Sequence, residues 1–590
     1  MRRLPALLLL AALAAAAFLL HAGWGRWPDV LADFGRELFV PWRLSEGDVL
    51  YRDVACFDGP LPYVLNALWF RVFGAGLWTL VALNGVLLVA FGALLFRELR
   101  AVSSTLAAAL ALWFFTAVFA LGQQTPIGNY SFLAPYAHGA THGLFLALGA
   151  MACARSLVER GGPSRAIACG LCLGAAFLTK AELFFAALVG VATTLVLARE
   201  RRHLAALASA ALVPPLVAFG LLATAMPASA AALGTVGSWR GVFDAELTGL
   251  PFYRRGMGFD APAANLLLLL RAFGVLALAI GPAFLLGFAL RGRPRAASRA
   301  ALPVFLLTLV AWRLAPTDWR WLARVQPIVL LVILAAGRPC LARLGSEPER
   351  ARYRGFLAFA AFGLALLAKI VLDVRFGFYG FVLAVPASCA LLAFLVDWFP
   401  RLTFPEPRDP SCAGARAVGI AGVLAVTIAC GWALAQKSAA WFALKEAPVG
   451  EGVDAFVADG RGRFVTRLRA ELARRLAPED TLLVLPEGVM LAYLERRRVS
   501  TPYHTHLPPE LILFGEQRML AALAASPPDA VVLVQRDTSE YGVPRFGADY
   551  GRELSAWIAA RYRTVWTDPE GGTPLEPGSI FGLSLLLPGP

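Results

Sequence analysis

Charge is scarce in this chain of 590 residues: Asp, Glu, Lys and Arg make up 16% of it, and the only lysines are Lys180, Lys369, Lys437 and Lys445. A soluble globular chain is about a quarter charged. This scarcity, with 58% hydrophobic residues and a mean hydropathy of +0.64, makes the chain a polytopic membrane protein. Nucleotide signatures are missing as well. There is no GxxxxGK[ST] loop and no GxGxxG between strand and helix, which argues against a nucleotide-driven pump or a Rossmann-type nucleotide-sugar enzyme. Polar residues are sparse within the apolar runs, without the repeated broken helices of a secondary transporter. Cysteine is absent from 437 onward, so the tail folds without disulfides. Upstream, Cys169 and Cys172 form a CxxC inside an apolar run with no second pair, and read as small packing residues rather than zinc or redox ligands.

What charge there is has a pattern. The net charge of +14 is mostly arginine, concentrated in short loops between apolar runs. That reads as control of membrane topology rather than nucleic-acid binding. Met1-Arg2-Arg3 precedes an apolar run over 4–22, long for a cleaved leader, so it is expected to be an uncut first anchor. Further runs lie near 77–96, 103–121, 143–158, 166–179, 183–198, 203–225, 263–289, 300–313, 326–340, 355–371, 377–398 and 415–436. Alternation from a cytoplasmic start predicts thirteen spans and an exported C-terminus. The loops placed inside carry the arginine clusters, from Arg97/Arg100 to Arg401/Arg408/Arg416, while the outside loop 122–142 has no Lys or Arg. Residues 166–198 are expected to form two short helices turning at Thr179-Lys180-Ala-Glu182, because one long helix would bury Lys180 and Glu182 mid-bilayer.

The predicted fold class is therefore mainly α: a polytopic helix bundle over 1–436, with 23–76 as its first extracytoplasmic loop, and a small soluble α/β domain over 437–590. In that tail, 481–486 and 530–535 have the pattern of buried strands, and 463–476, 488–497 and 553–562 that of helices. His504 and His506 in Tyr503-His-Thr-His lack a third ligand nearby and read as polar loop residues.

Candidate chemistry concentrates in the first loop: Asp33-Phe-Gly-Arg36-Glu37, then Gly47-Asp48-Val-Leu-Tyr51-Arg52-Asp53, then Gly59-Pro60-Leu-Pro-Tyr63. Asp33 and Glu37 are spaced i, i+4, which on a helix turns both carboxylates to one side. One could serve as a general base while the other tunes its pKa or helps to hold a cation. Arg52 can pair with Asp53 or bind phosphate; Asp58, Gly59 and Pro60 are read as structural. Tyr130-Ser-Phe-Leu-Ala-Pro-Tyr136-Ala-His138-Gly-Ala-Thr-His142 is uncharged and rich in hydrogen-bonding side chains, suiting a sugar more than a phosphate. Basic residues on the exported side run against the topological bias: Lys180, Arg313, Arg320 and Arg324 around Thr317-Asp-Trp-Arg-Trp321, and Lys369 with Arg375. They are candidates to hold the phosphate of a lipid-borne donor, or else snorkel to headgroups.

Taken together, the first-loop run with its G-x-LYRD…GP-x-xY pattern, the FLTK turn ending at Lys180, about a dozen spans and an exported tail resemble the integral-membrane glycosyltransferases of the GT-C superfamily. The likeness is to the bacterial family-39-like branch, related to protein O-mannosyltransferases and the lipid A aminoarabinose transferase, and covers nearly the whole chain. It implies a bacterial inner-membrane enzyme that moves a sugar from a polyprenyl-phosphate donor to a glycan, lipid or protein acceptor, with inversion. It implies Asp33 as catalytic base. Glu37 departs from the adjacent Asp-Glu pair of the mannosyltransferases. The remaining candidates, Arg52, Asp53, Tyr136, His138, His142, Lys180, Glu182, Arg320, Arg324, Lys369 and Arg375, are assigned to donor binding. No metal ligands are nominated, although a divalent metal stays open. The alternative from another class is a lipid-linked sugar transporter or a non-catalytic envelope-assembly protein.

Overall fold

A computed structural model describes residues 3–315, 318–404, 410–576 and 580–589 of the chain; Arg2, Thr317 and Arg408, used in the topology above, lie outside the described residues. The thirteen apolar runs all fall on helices. Among the described residues, ten helices are long and apolar enough to cross a membrane, or up to eleven when the pair Trp319–Ala335 and Gly337–Arg343, bent by 54°, counts as one span. The other two runs are shorter, Thr105–Ala120 and Pro163–Phe177. The first ends in a π-helical turn over Thr116–Ala120. The second is bounded by Gly161-Gly162 and by the break before Ala181. Of the thirteen expected spans, ten or eleven thus have membrane length and two are shorter apolar helices. Outer faces such as Leu212, Leu216 and Leu221, or Leu302, Leu307 and Val310, remain exposed on the chain, as a helix facing lipid tails requires. The molecule is a multi-pass membrane protein.

The first loop is structured throughout. A helix over Phe34–Ser45 is followed by one over Pro60–Phe73. Pro60 occupies a first-turn position, where its fixed φ favours helix and its missing N–H costs nothing. The second helix leaves Leu65, Leu68, Trp69, Val72 and Phe73 exposed, a face suited to lying in the membrane interface. Two glycines set how the loop docks. A Cβ on Gly59 would stand 2.2 Å from Leu178 O, because Gly59 N–H and Leu61 N–H donate to Thr179 O and Leu178 O at the break between Pro163–Phe177 and Ala181–Ala198. A Cβ on Gly35 would stand 2.4 Å from Met490 N, so the Phe34–Ser45 helix lies backbone to backbone on the C-terminal region.

The last long helix runs over Pro410–Ala443, so 437–443 continues it. Strands β1 (Ala447–Val449) and β2 (Phe456–Ala458) then pair antiparallel. A second sheet has β3 (Leu482–Leu485), β4 (Ala530–Val534), β5 (Tyr562–Thr567) and β6 (Leu583–Pro588) in the order β3-β4-β6-β5. β3 and β4 are parallel, with Leu482 opposite Ala530; the other pairings are antiparallel. Every residue of β3 is buried, as expected of a parallel strand covered on both faces. Helices Arg461–Arg475, Val489–Leu494 and Arg552–Arg561 occupy the predicted helical stretches.

Candidate functional site

The site is built around one turn. Asp33 has φ 54° and ψ −60°, and Phe34 N–H donates to Ala32 O at 2.6 Å across it. This is the strained, positive-φ form of the γ-turn, which a non-glycine residue rarely adopts. The segment leading into it is clamped from three directions. Asp29 Oδ1 accepts from Leu31 N–H and Ala32 N–H at 3.0 and 2.9 Å. Asn129 accepts from Asp29 N–H at 2.7 Å and donates to Ala32 O at 2.8 Å. From the C-terminal domain, Arg461 donates to Asp29 Oδ2 at 2.6 Å, and Glu487 Oε1 accepts from Asp33 N–H at 3.2 Å. A backbone held in a sparsely populated region persists only where its surroundings over-determine it. Here they do.

The Asp33 carboxylate itself receives no hydrogen bond or ion pair among the described residues. It faces a cavity of about 510 Å3 whose walls also include Arg36, Asp58, Tyr136, Lys180, Glu182 and Lys369 from the membrane part, and Glu487, Glu510 and Arg536 from the C-terminal domain. Burial pushes the Asp33 carboxyl up to about 7; Arg36 opposes this and Glu487 adds to it. The lining cations do have partners. Lys180 Nζ donates to Asp58 Oδ1 at 2.9 Å and Lys369 Nζ to Glu182 Oε1 at 2.8 Å. Arg536 bridges Glu487 at 2.8 Å and Glu540 at 2.7 Å. Burial works against the Asp58 carboxylate, yet Lys180 and Arg36 hold it below its ordinary range. Each lysine ammonium has three N–H donors, so one carboxylate contact leaves donors for an anion. Tyr130, Tyr136, Tyr253, Tyr379 and Tyr541 add aromatic faces and hydroxyls to the same walls.

No family model matches the chain, and no curated protein matches it. Among solved structures, the chain is similar to ArnT from Cupriavidus metallidurans in the apo state, at 14% identity and a TM-score of 0.37, covering 98% of this chain and 97% of that one. ArnT bound to undecaprenyl phosphate matches at 16% identity and a TM-score of 0.36 with the same coverage. The Archaeoglobus fulgidus oligosaccharyltransferase, in complex with zinc and sulfate, matches at 14% identity and a TM-score of 0.41, covering 97% of this chain and 74% of that one. At identities and TM-scores this low, the functional reading rests on the cavity itself.

The structure brings Asp33, Tyr136, Lys180, Glu182 and Lys369 together in that cavity. Glu37 is buried beside it. Its Oε2 accepts from the backbone N–H of His138 at 2.8 Å and lies 2.8 Å from His138 Nδ1, while Oε1 accepts from Tyr63 OH at 3.2 Å. Asn84 Nδ2 lies 3.0 Å from His138 Nε2, on the far side of the ring. Burial raises the Glu37 pKa, but His138 and Arg36 outweigh it and hold the carboxylate ionised. Glu37 and His138 thus support the wall rather than line it, and His142 is buried with neither ring nitrogen hydrogen-bonded among the described residues. Five of the remaining candidates lie elsewhere. Arg52 and Asp53 form an exposed pair at 2.7 Å, with Arg52 also on Ala225 O. Arg320 is exposed on Asp318 at 2.5 Å. Arg324 and Arg375 both close on Asp373, and Arg324 is further held by Asn265 at 3.0 Å. A local acid satisfies each of these arginines, so basicity on the predicted outer side does not place a residue at the cavity.

Arg36, Asp58, Glu487, Glu510 and Arg536 were not nominated from the sequence. Arg36 sits within the first of the quoted motifs and Asp58 just before the third, where a structural role was expected; the last three carry no local signal. Among the described residues, no group of three or more His, Cys, Asp or Glu side chains could hold a metal ion.

Proposed function

We propose that this protein is a membrane glycosyltransferase of the GT-C type that moves a sugar from a polyprenyl-phosphate donor to an acceptor hydroxyl on the extracytoplasmic side of a bacterial inner membrane. The observation carrying the reading is Asp33: an unpartnered carboxylate on a strained turn, raised to about 7, facing a cavity that also holds lysines. A group poised near neutrality suits a general base. In the reaction, Asp33 takes the proton of the acceptor hydroxyl, and the resulting oxygen attacks the anomeric carbon. The bond from that carbon to the phosphate oxygen breaks, and the polyprenyl phosphate leaves with the electron pair, inverting the centre. Lys180 and Lys369 offer their remaining N–H donors to the leaving phosphate, with Arg36 beside them. This reading replaces the wider set of arginines expected to clamp the phosphate by groups that line the cavity.

The test is Asp33→Asn, reconstituted in proteoliposomes with a radiolabelled polyprenyl-phosphate sugar and an acceptor extract. Transfer is expected to fall by about 10²–10⁴ while membrane insertion stays normal. Undiminished transfer by the variant would remove Asp33 from the role of base. Donor movement across the bilayer by the wild type, without transfer, would instead favour a transporter.

A further inference from the structure

The cavity wall contributed by the C-terminal domain holds a carboxyl group with no use in the reaction above. Glu510 lies in the short helix Pro508–Phe514, is 6% exposed, and borders both the large cavity and a small pocket behind it. No other described residue gives it a hydrogen bond or an ion pair, and its Oε2 is buried without a partner. An unsatisfied buried carboxylate is among the costlier groups a fold can keep. Its charged neighbours do not explain its retention. Arg36, from the helix Phe34–Ser45, favours the ionised form, whereas Glu487 and Asp33 disfavour it. Cys56, Asp58 and Tyr63 from the first loop, with Tyr503 and His504 from its own domain, border the small pocket. Tyr253 and Tyr541 approach from the cavity side, and Glu246, on the helix Ala245–Gly249 packed against it, is exposed. Burial dominates, pushing the Glu510 carboxyl up to about 8, so that it is chiefly a neutral acid at pH 7.

We propose that Glu510 is a specificity-determining residue that meets the transferred sugar as an uncharged carboxylic acid, donating its O–H to a ring hydroxyl and accepting a hydroxyl in return. The proposal rests on the transferase reading and gives the donor a direction: phosphate toward Lys180 and Lys369, sugar toward the C-terminal domain. A neutral acid suits a polyhydroxylated, uncharged ring; an ionised one would repel the phosphate end. The C-terminal domain then forms the sugar wall of the site rather than a passive cap.

The experiment compares wild type, Glu510→Gln and Glu510→Ala for donor KM and kcat from pH 6 to 9.5. The neutral amide keeps both a donor and an acceptor, so Glu510→Gln is expected to bind donor within about threefold of wild type at pH 7, and Glu510→Ala about tenfold more weakly. Wild-type donor KM should rise above pH 8 as the carboxylate forms, and Glu510→Gln should lose that limb. Lys445, buried where the last long helix meets the first loop, is brought down to about 8 by burial, so the limb is assigned by its loss in the Gln variant and not by its midpoint. Infrared difference spectra of wild type against Glu510→Gln, without substrate, should show a carboxylic-acid carbonyl band at pH 7 that fades above pH 8. Absence of that band, a Gln variant as weak as Ala, or a limb that survives in Gln would each overturn the assignment of Glu510. Absence of transfer by the wild type with the band present would instead overturn the transferase reading.

Discussion

At the scale of single residues, the positive-φ turn at Asp33 costs roughly 1–3 kcal/mol and exposes a carboxylate to a cavity instead of burying it in an ion pair. Glycine adopts φ 54° without a Cβ clash, so Asp33→Gly is expected to melt at or above the wild-type temperature in detergent while losing transfer. A clear drop in melting temperature would show that Asp33 serves the fold. The pH dependence follows from the direction of the shift. Folding raises the Asp33 pKa to about 7, and the proposed base works only when ionised, so at saturating donor the kcat/KM for acceptor should fall about tenfold per pH unit below 7 and level off above it. A profile flat down to pH 5 would contradict this. Asp33 was legible from its place in the first-loop motif, and its turn was not: a γ-turn leaves no mark on residue identity when the residue is not glycine. Arg324 shows the converse limit. Its sequence position suggested a phosphate ligand, yet Asp373, 49 residues later, claims it.

At the scale of elements, the break between Pro163–Phe177 and Ala181–Ala198 was readable because Lys180 and Glu182 would otherwise sit within one long apolar helix. What the sequence could not supply was the partner across the break. Asp58 arrives from a loop 122 residues earlier, brought there by Gly59 docking on Leu178 and Thr179. The pair is nearly enclosed, with side-chain exposures of 10% and 7%. Removing one member of such a pair strands the other, at a cost of about 3–5 kcal/mol. Lys180→Met should therefore lower thermal stability strongly, and adding Asp58→Asn should restore most of it. Equal stability of the single and double variants would show that the pair is not coupled. Apolar helices were legible as runs because hydropathy is local, and the two shorter ones, Thr105–Ala120 and Pro163–Phe177, lie within a few residues of the runs that announced them.

At the scale of the whole molecule, the C-terminal domain is part of the site. Arg461 holds Asp29, Glu487 holds Asp33 N–H, and Lys445 donates to the carbonyls of Arg26 and Pro28. Arg461→Ala is expected to lower kcat about tenfold with donor KM little changed, because it loosens the turn without touching the donor subsite. A rise in KM with kcat preserved would place Arg461 in binding instead. Contacts spanning more than 400 positions leave no signature in a single sequence, which is why Glu487, Glu510 and Arg536 went unseen while the strands beside them did not. The same separation has a consequence in time. Asp33 and Glu487 lie 454 positions apart, and at about 5–20 residues per second the ribosome needs on the order of 20–90 s to deliver the second after the first. Throughout that interval the first loop is already made without the groups that fix its turn. On the proposed mechanism the base is thus among the last parts of the molecule to be set in place, and a stalled or truncated chain is expected to be fully inserted yet chemically silent.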